Sequence, residues 1–399
     1  MISAERFRGG GKTIAVCGVV GVLGLVLNLV GYLLASSPDK ARLVAASYLV
    51  AFLFWFGLAV GATFWIAIFH TAKARWPTVL RRGLETISGA TPIFALLFIP
   101  VALAVKVLYM WAAPPSNLTV EQMDLLHHKA PYLNLAFWIL RAVAYFVVFV
   151  GVGQILYRWS TRQDEEGGVV LTARMRRLGA GSLPFMGIAI TFAGFDWIMS
   201  LDPFWGSTIF GAYYFAGSFL GTMALLAVFA AWMQGPSEFG GMMTKEHFHN
   251  VGKFLLAFTI FWTYIAFSQF LLLWIANIPE EAAWYVVRMK GAWTWAGIVL
   301  LVCQFAIPFV VLLSRDLKYK PKMLAGVAVW ILLAHYVDIY WLVMPALAPN
   351  STPAQWTDLA AFVGVGGIAV AFALWRLRGR FTVPVKDPYL ADSLRYINP

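Results

Sequence analysis

The chain of 399 residues is 61% hydrophobic and only 12% charged, with a mean hydropathy of +0.74, whereas soluble globular domains carry about 25% charged residues. This excludes a soluble enzyme, a disordered tail and a disulfide-rich secreted module, and it points to a polytopic membrane protein. The net charge of +11 then marks cytoplasmic loops rather than a nucleic-acid site.

Ten stretches approach the roughly 20 apolar residues needed to cross a bilayer. A basic segment, 1–12, precedes the first stretch, 13–35, whose apolar run is too long for a signal-peptide core and reads as a retained helix. The second, 43–69, closes on His70. The third, 87–111, follows RRGLETISG, which sets Glu85 at its mouth, and it contains Pro92, Pro100 and Lys106. The fourth, 132–157, carries Arg141 near mid-membrane. The fifth, 181–201, carries Pro184, with Asp196 in its outer half. After the sixth, 208–233, the seventh, 250–277, opens on His247, His249 and Lys253. It places Tyr264 at the depth of Asp196, with Ser268 one turn beyond. The eighth, 291–314, contains Cys303 and Pro308. The ninth, 323–347, brings His335 to mid-membrane with Asp338 three residues on, on the same helix face. The tenth is 356–376, and the residues from 377 to 399 form an extended tail.

Of the 30 Lys and Arg, 22 fall in the two terminal segments and the four loops on their side, against 5 in the opposite loops. This bias places both termini in the cytoplasm. The fold expected is all-α: a ten-helix transmembrane domain, 13–376, between a cytoplasmic N-terminus and a cytoplasmic tail. The tail holds Pro384, Pro388 and Pro399 and is poor in apolar residues. It reads as a frayed end or as an arm laid on a neighbouring subunit.

Ionisable groups inside a bilayer cost several kcal/mol and are functional candidates by default. Arg141, Asp196, Tyr264, His335 and Asp338 make an outer set; Glu85, His249 and Lys253, with His70 and His247, make an inner set. Two titratable clusters stacked across the membrane are what a proton path requires, and an Asp beside a His makes it a better proton carrier. The plainer reading pairs Arg141 with Asp196 as a helix lock and leaves His70, His247 and His249 solvated at the interface. Cys17 and Cys303 suit neither a disulfide framework nor haem c or iron–sulfur ligation. His335 has no mid-membrane histidine to share a haem b. Redox chemistry therefore falls to partners or to a diffusible quinone.

Several strings resemble one family: WPTVLRRGLETISG, FDWIMSLDPFWGSTIFG, FHNVGKFLLAFTIFWTYIAFSQFLLLWIANIPEE and the tail DPYLADSLRYINP. They are similar to the NrfD-like membrane subunits, and among these to the ActF type of bacterial alternative complex III. That resemblance implies two four-helix bundles with two flanking helices, in the inner membrane of a bacterium. It implies a subunit of a quinol:cytochrome c oxidoreductase, free of redox centres, that contributes to proton translocation. Its partners would be a second NrfD-like subunit, an iron–sulfur subunit, c-type cytochromes bearing haem c, small membrane subunits and lipid. Menaquinone or ubiquinone, in its quinol form, would be oxidised nearby, chiefly in the sister subunit, with quinone binding in this subunit left open. Glu85, Asp196, His249, Lys253 and Tyr264 lie in the matching strings as proton-path positions; Arg141, His335 and Asp338 come from the residues alone. Three other readings stay open: a quinone-reactive anchor of a molybdopterin or iron–sulfur oxidoreductase, a secondary transporter, and a structural scaffold.

Overall fold

A computed structural model describes residues 5–234, 242–350 and 352–398; residues 1–4 of the N-terminal segment and Pro399 of the tail lie outside them. Ten helices are long and apolar enough to cross a membrane: Gly11–Leu33, Pro38–Thr71, Thr78–Leu103, Leu135–Glu166, Val169–Leu201, Phe210–Met233, Lys245–Ala276, Gly291–Leu313, Pro321–Ala346 and Trp356–Leu377. They are the first to tenth spans below, and the chain is built as a multi-pass membrane protein. Among the described residues the β structure is a single bridge, Arg6 to Phe381.

The second span is the hub. It packs on the third, fifth, sixth and tenth, and nearly every residue from Val44 to His70 is buried. The second to fifth spans close a ring of contacts, the sixth to ninth close another, and the second and sixth join the two. The first span touches mainly the tenth, along a seam of glycines. A Cβ on Gly21 would lie 2.6 Å from Ile368 N, and one on Gly24 2.6 Å from the Ala360 carbonyl. Small residues are what allow two helix backbones to approach this closely in lipid.

Hydropathy finds the spans but not their ends. The fourth, fifth and seventh helices run five to twelve residues beyond the apolar stretches, because helix geometry continues wherever a polar extension finds partners. The third span starts at Thr78 and breaks at Gly89–Ala90, before Pro92. Proline removes an N–H from the ladder, Ile93 N turns to the Ala90 carbonyl at 3.1 Å, and the Gly89 carbonyl so released accepts from Arg376 Nη1 at 3.1 Å. The eighth span contains a π-helical stretch, Leu301–Ala306, just before Pro308. There the Cys303 carbonyl accepts from Trp330 Nε1 at 2.8 Å.

Both chain ends lie at one face. Phe7 N donates to the Arg380 carbonyl at 2.8 Å, and Gly379 N to the Phe7 carbonyl at 2.8 Å. We call this the terminal face. The tail is not frayed; it returns across the helix ends of its own chain. Polar contacts hold it together with the buried side chains of Val383 and Leu390. Asp387 meets Arg81, Val385 N donates to Asp164, and Ser393 Oγ donates to the Trp76 carbonyl at 2.6 Å.

Candidate functional site

Two groups of buried polar side chains lie at different depths. In the half away from the terminal face, the fifth and ninth spans each carry one buried carboxylate. Asp196, fully buried, takes a two-pronged contact from Arg141, Nε to Oδ2 at 2.7 Å and Nη2 to Oδ1 at 2.9 Å. Tyr145 OH adds a third bond at 2.6 Å, and the Arg141 guanidinium sits 3.8 Å from the Tyr132 ring centroid. A carboxylate with a bidentate guanidinium and a phenol has its charge matched and its lone pairs used.

Asp338 is bound differently. Tyr213 OH donates to Oδ1 at 2.7 Å and Trp262 Nε1 to Oδ2 at 3.1 Å. No Lys or Arg pairs with it among the described residues; its charged neighbour on protonation is His335, with Nδ1 3.5 Å from Oδ2. The imidazole is fully buried in a slot left by two glycines of the sixth span. A Cβ on Gly217 would meet His335 Cε1 at 2.9 Å, and one on Gly221 would meet Cδ2 at 2.9 Å. Nδ1 lies beside Gly217 and Nε2 beside Gly221, one turn nearer the terminal face. The ring therefore points one nitrogen at Asp338 and the other down the bundle.

At the terminal face the third span supplies Arg81, Arg82 and Glu85, all buried. Arg81 bridges Glu85 at 3.0 Å and Asp387 of the tail at 2.7 Å. Arg82 bridges Glu85 at 2.9 Å and Asp164 at 2.5 Å. Two cations and three carboxylates are thus tied in one network, with one carboxylate contributed by the tail. His70, Arg81 and Tyr389 line a cavity of about 10 Å³ beside it, the room that one water needs.

The structure corrects the solvated reading of three histidines: His70, His247 and His249 are all buried. The tail and the 315–320 segment cover them. His247 Nε2 lies 3.4 Å from Ser393 Oγ, and the His249 ring stacks on Tyr319 with centroids 4.6 Å apart. Lys253 donates to Asn398 Oδ1 at 2.7 Å. Glu85 therefore joins a network, His335 joins Asp338, and Arg141 joins Asp196. Tyr264 joins none of these, being 64% exposed on the outer surface of the seventh span.

A short string of hydroxyls lies at the third-span break, bonded as two separate pairs. Thr63 Oγ1 and Ser88 Oγ lie 2.8 Å apart, Gln154 Nε2 donates to Thr91 Oγ1 at 3.4 Å, and Arg376 binds Gln154. Sequence reading missed this string, together with Arg81, Arg82, Asp164, Asp387, Tyr145, Tyr213 and Trp262. The spacing of Arg81 and Arg82 to Glu85, four and three residues, was the available signal, masked by counting those arginines only toward orientation.

The far end of the sixth-to-ninth ring is closed by Arg288, stacked 3.4 Å over Trp284 and donating to the Leu342 carbonyl at 2.9 Å. Burial pulls its pKa down to about 9, with Asp202 opposing, so it stays cationic at neutral pH. The Asp202 carboxyl is itself pushed up by burial.

Two apolar cavities adjoin the second span. One, about 470 Å³, lies between the first three spans and includes Asn28, Tyr32 and Tyr48. Tyr48 OH is already bonded to the Leu97 carbonyl at 2.7 Å. The other, about 320 Å³, has only Thr13 and Thr86 as polar lining besides the Trp rings. Neither presents a carboxylate or imidazole to take a quinol proton, so these linings do not fit quinol oxidation. No family model matches the chain, and no curated protein matches it.

Proposed function

We propose that the chain is a non-redox membrane subunit of a quinol-oxidising respiratory complex in a bacterial inner membrane, of the ActF-like type that its sequence strings resemble, and that it moves protons. The two closed rings of contacts are read as the paired four-helix bundles of that type, with the first and tenth spans flanking. The terminal face, rich in Lys and Arg, is read as cytoplasmic. Electrons would run through iron–sulfur and haem c partners, and quinol would be oxidised in the sister subunit.

The observation that carries this reading is the contrast between two buried carboxylates. A proton carrier must lose and regain charge without stranding a partner. Asp196 cannot be neutralised without leaving Arg141 unpaired in the membrane, which is strongly unfavourable; it suits a lock. Asp338 is held by neutral donors and a histidine, so it can take a proton and pass it to His335. His335 Nε2 then faces the terminal half, where the hydroxyl string, Glu85 and the histidines lie. A transporter would show helix breaks at matching places in its two halves, whereas the breaks here fall in the third and eighth spans.

Extraction of the tagged protein from native membranes in mild detergent, followed by a reduced-minus-oxidised spectrum, tests the assignment. Haem c bands with iron–sulfur subunits in fixed ratio support it; a colourless protein purifying alone, under conditions that keep other respiratory complexes whole, overturns it. In liposomes, Asp338→Asn should leave quinol turnover while lowering proton release per electron. Normal release would exclude the proton path.

A further inference from the structure

We propose that the corner where the chain's two ends meet binds an anionic phospholipid, its phosphate on arginines and one acyl chain in the neighbouring cavity. The bridge between Arg6 and Phe381, with Phe7 bonded to Arg380 and Gly379, draws Arg6 and Arg8 beside Arg378 and Arg380. Arg376 lies one turn up the tenth span, and Tyr157 OH donates to its carbonyl at 2.9 Å, which brings the end of the fourth span and Arg158 to the same place. Arg158 and Arg380 are close enough to repel the Arg376 guanidinium. Among the described residues none of these six arginines makes an ion pair. Arg376 is half-buried, and its bonds run to neutral groups, the Gly89 carbonyl and Gln154. Like charges crowded at the edge of a membrane are an anion site in want of an anion.

The cavity of about 320 Å³ supplies the second half of the site. Ala90, next to Gly89, and Ala373 and Leu374, just before Arg376, are in its wall. Trp232 is there too, its ring 6.4 Å from that of Phe7 between Arg6 and Arg8. The arginines therefore flank the cavity on the terminal face. From Thr86 to Phe94 the cavity follows the third span for about 12 Å, the scale of an acyl chain. Its lining is almost wholly apolar, so a hydrocarbon chain suits it and water does not. A quinone tail would fit the cavity equally well, but a neutral quinone head gives the arginines nothing. A phosphodiester joined to acyl chains answers both halves at once, and basic pockets between spans are known headgroup sites.

The test is native mass spectrometry of the delipidated full chain, titrated with phosphatidylglycerol and with phosphatidylcholine of identical acyl chains. Phosphatidylglycerol should bind about tenfold tighter or more, and equal affinities would overturn the proposal. Arg158→Gln with Arg380→Gln, both exposed in the native chain, should abolish that preference while leaving the unfolding temperature unchanged; a preserved preference would place the headgroup elsewhere. Ala373→Leu, which fills the cavity and spares every arginine, should weaken both lipids; undiminished binding would remove the acyl-chain half. Inorganic phosphate separates the two sources of the anion. Failure of millimolar phosphate to displace the lipid is expected, whereas full displacement would leave only a bare anion site.

Discussion

Asp387 accepts a hydrogen bond from Arg81 Nη1 at 2.7 Å, joining the C-terminal strap to the mouth of the third span across 306 positions of the chain. Both side chains are buried, and Arg81 also holds Glu85. Asp387→Ala would leave Arg81 with one carboxylate in place of two. Breaking a buried pair from one side costs about 3–5 kcal/mol, so the variant should unfold at a clearly lower temperature in detergent. Deleting the strap from Thr382 onward should do the same and should also expose His70 and His247. An unchanged midpoint after that deletion would show that the strap contributes nothing to the fold.

The two buried carboxylates should respond differently to the same change. Asp196→Asn strands Arg141 and should cost about 3–5 kcal/mol. Asp338→Asn keeps one acceptor oxygen, which serves Trp262, while its amide can donate to the Tyr213 hydroxyl, and it should cost about 1–2 kcal/mol. Thermal unfolding of both variants measures the difference. Arg141→Gln added to Asp196→Asn should recover part of the loss, and a double-mutant cycle with no coupling would rule out the lock.

The slot for His335 admits no extra methyl. Gly221→Ala would press on the imidazole and on Leu58. It should destabilise by about 1–3 kcal/mol through overpacking, less up to about 1 kcal/mol gained in helix propensity. Adding His335→Ala should relieve the part of the clash made with the ring, leaving the contact with Leu58. If Gly221→Ala is as harmful without the imidazole as with it, the slot is not what fixes the ring.

Gly24→Leu or Gly364→Leu should separate the first span from the tenth, since either side chain would meet backbone atoms of the opposite helix within 3 Å. A cysteine pair placed across the seam should cross-link in the parent chain and fail to do so in these variants. Persistent cross-linking would mean that the helices tolerate the wider spacing.

The ten spans were legible because apolar runs of membrane length have few other uses. Helix ends were not, since hydropathy is blind to a polar turn that keeps its hydrogen bonds. Arg141 with Asp196 and His335 with Asp338 could be singled out because a charge in lipid needs a reason. What sequence could not supply was the partner set. Tyr213 and Trp262 look like ordinary aromatic residues of a membrane helix until the ninth span is laid against them. Asp387 sits in a proline-bearing tail that apolar content alone would leave loose, and its place is decided by Arg81, far up the chain. Tyr264 shows the opposite error. Position along a span says nothing of which side of the helix faces the bundle, and Tyr264 lies on the exposed side.

The glycine seam bears on how the molecule is made. The first span leaves the ribosome early, while its seat, the tenth, begins only at Trp356. At about 5–20 residues per second of synthesis, the first helix must wait tens of seconds in the bilayer without its partner. Closing the seam, pairing Phe7 with Arg380 and laying the strap over Arg81 all become possible only after the tenth span and the residues beyond it have been made. The first helix should therefore stay open to lipid, its glycine face unpaired, through most of synthesis.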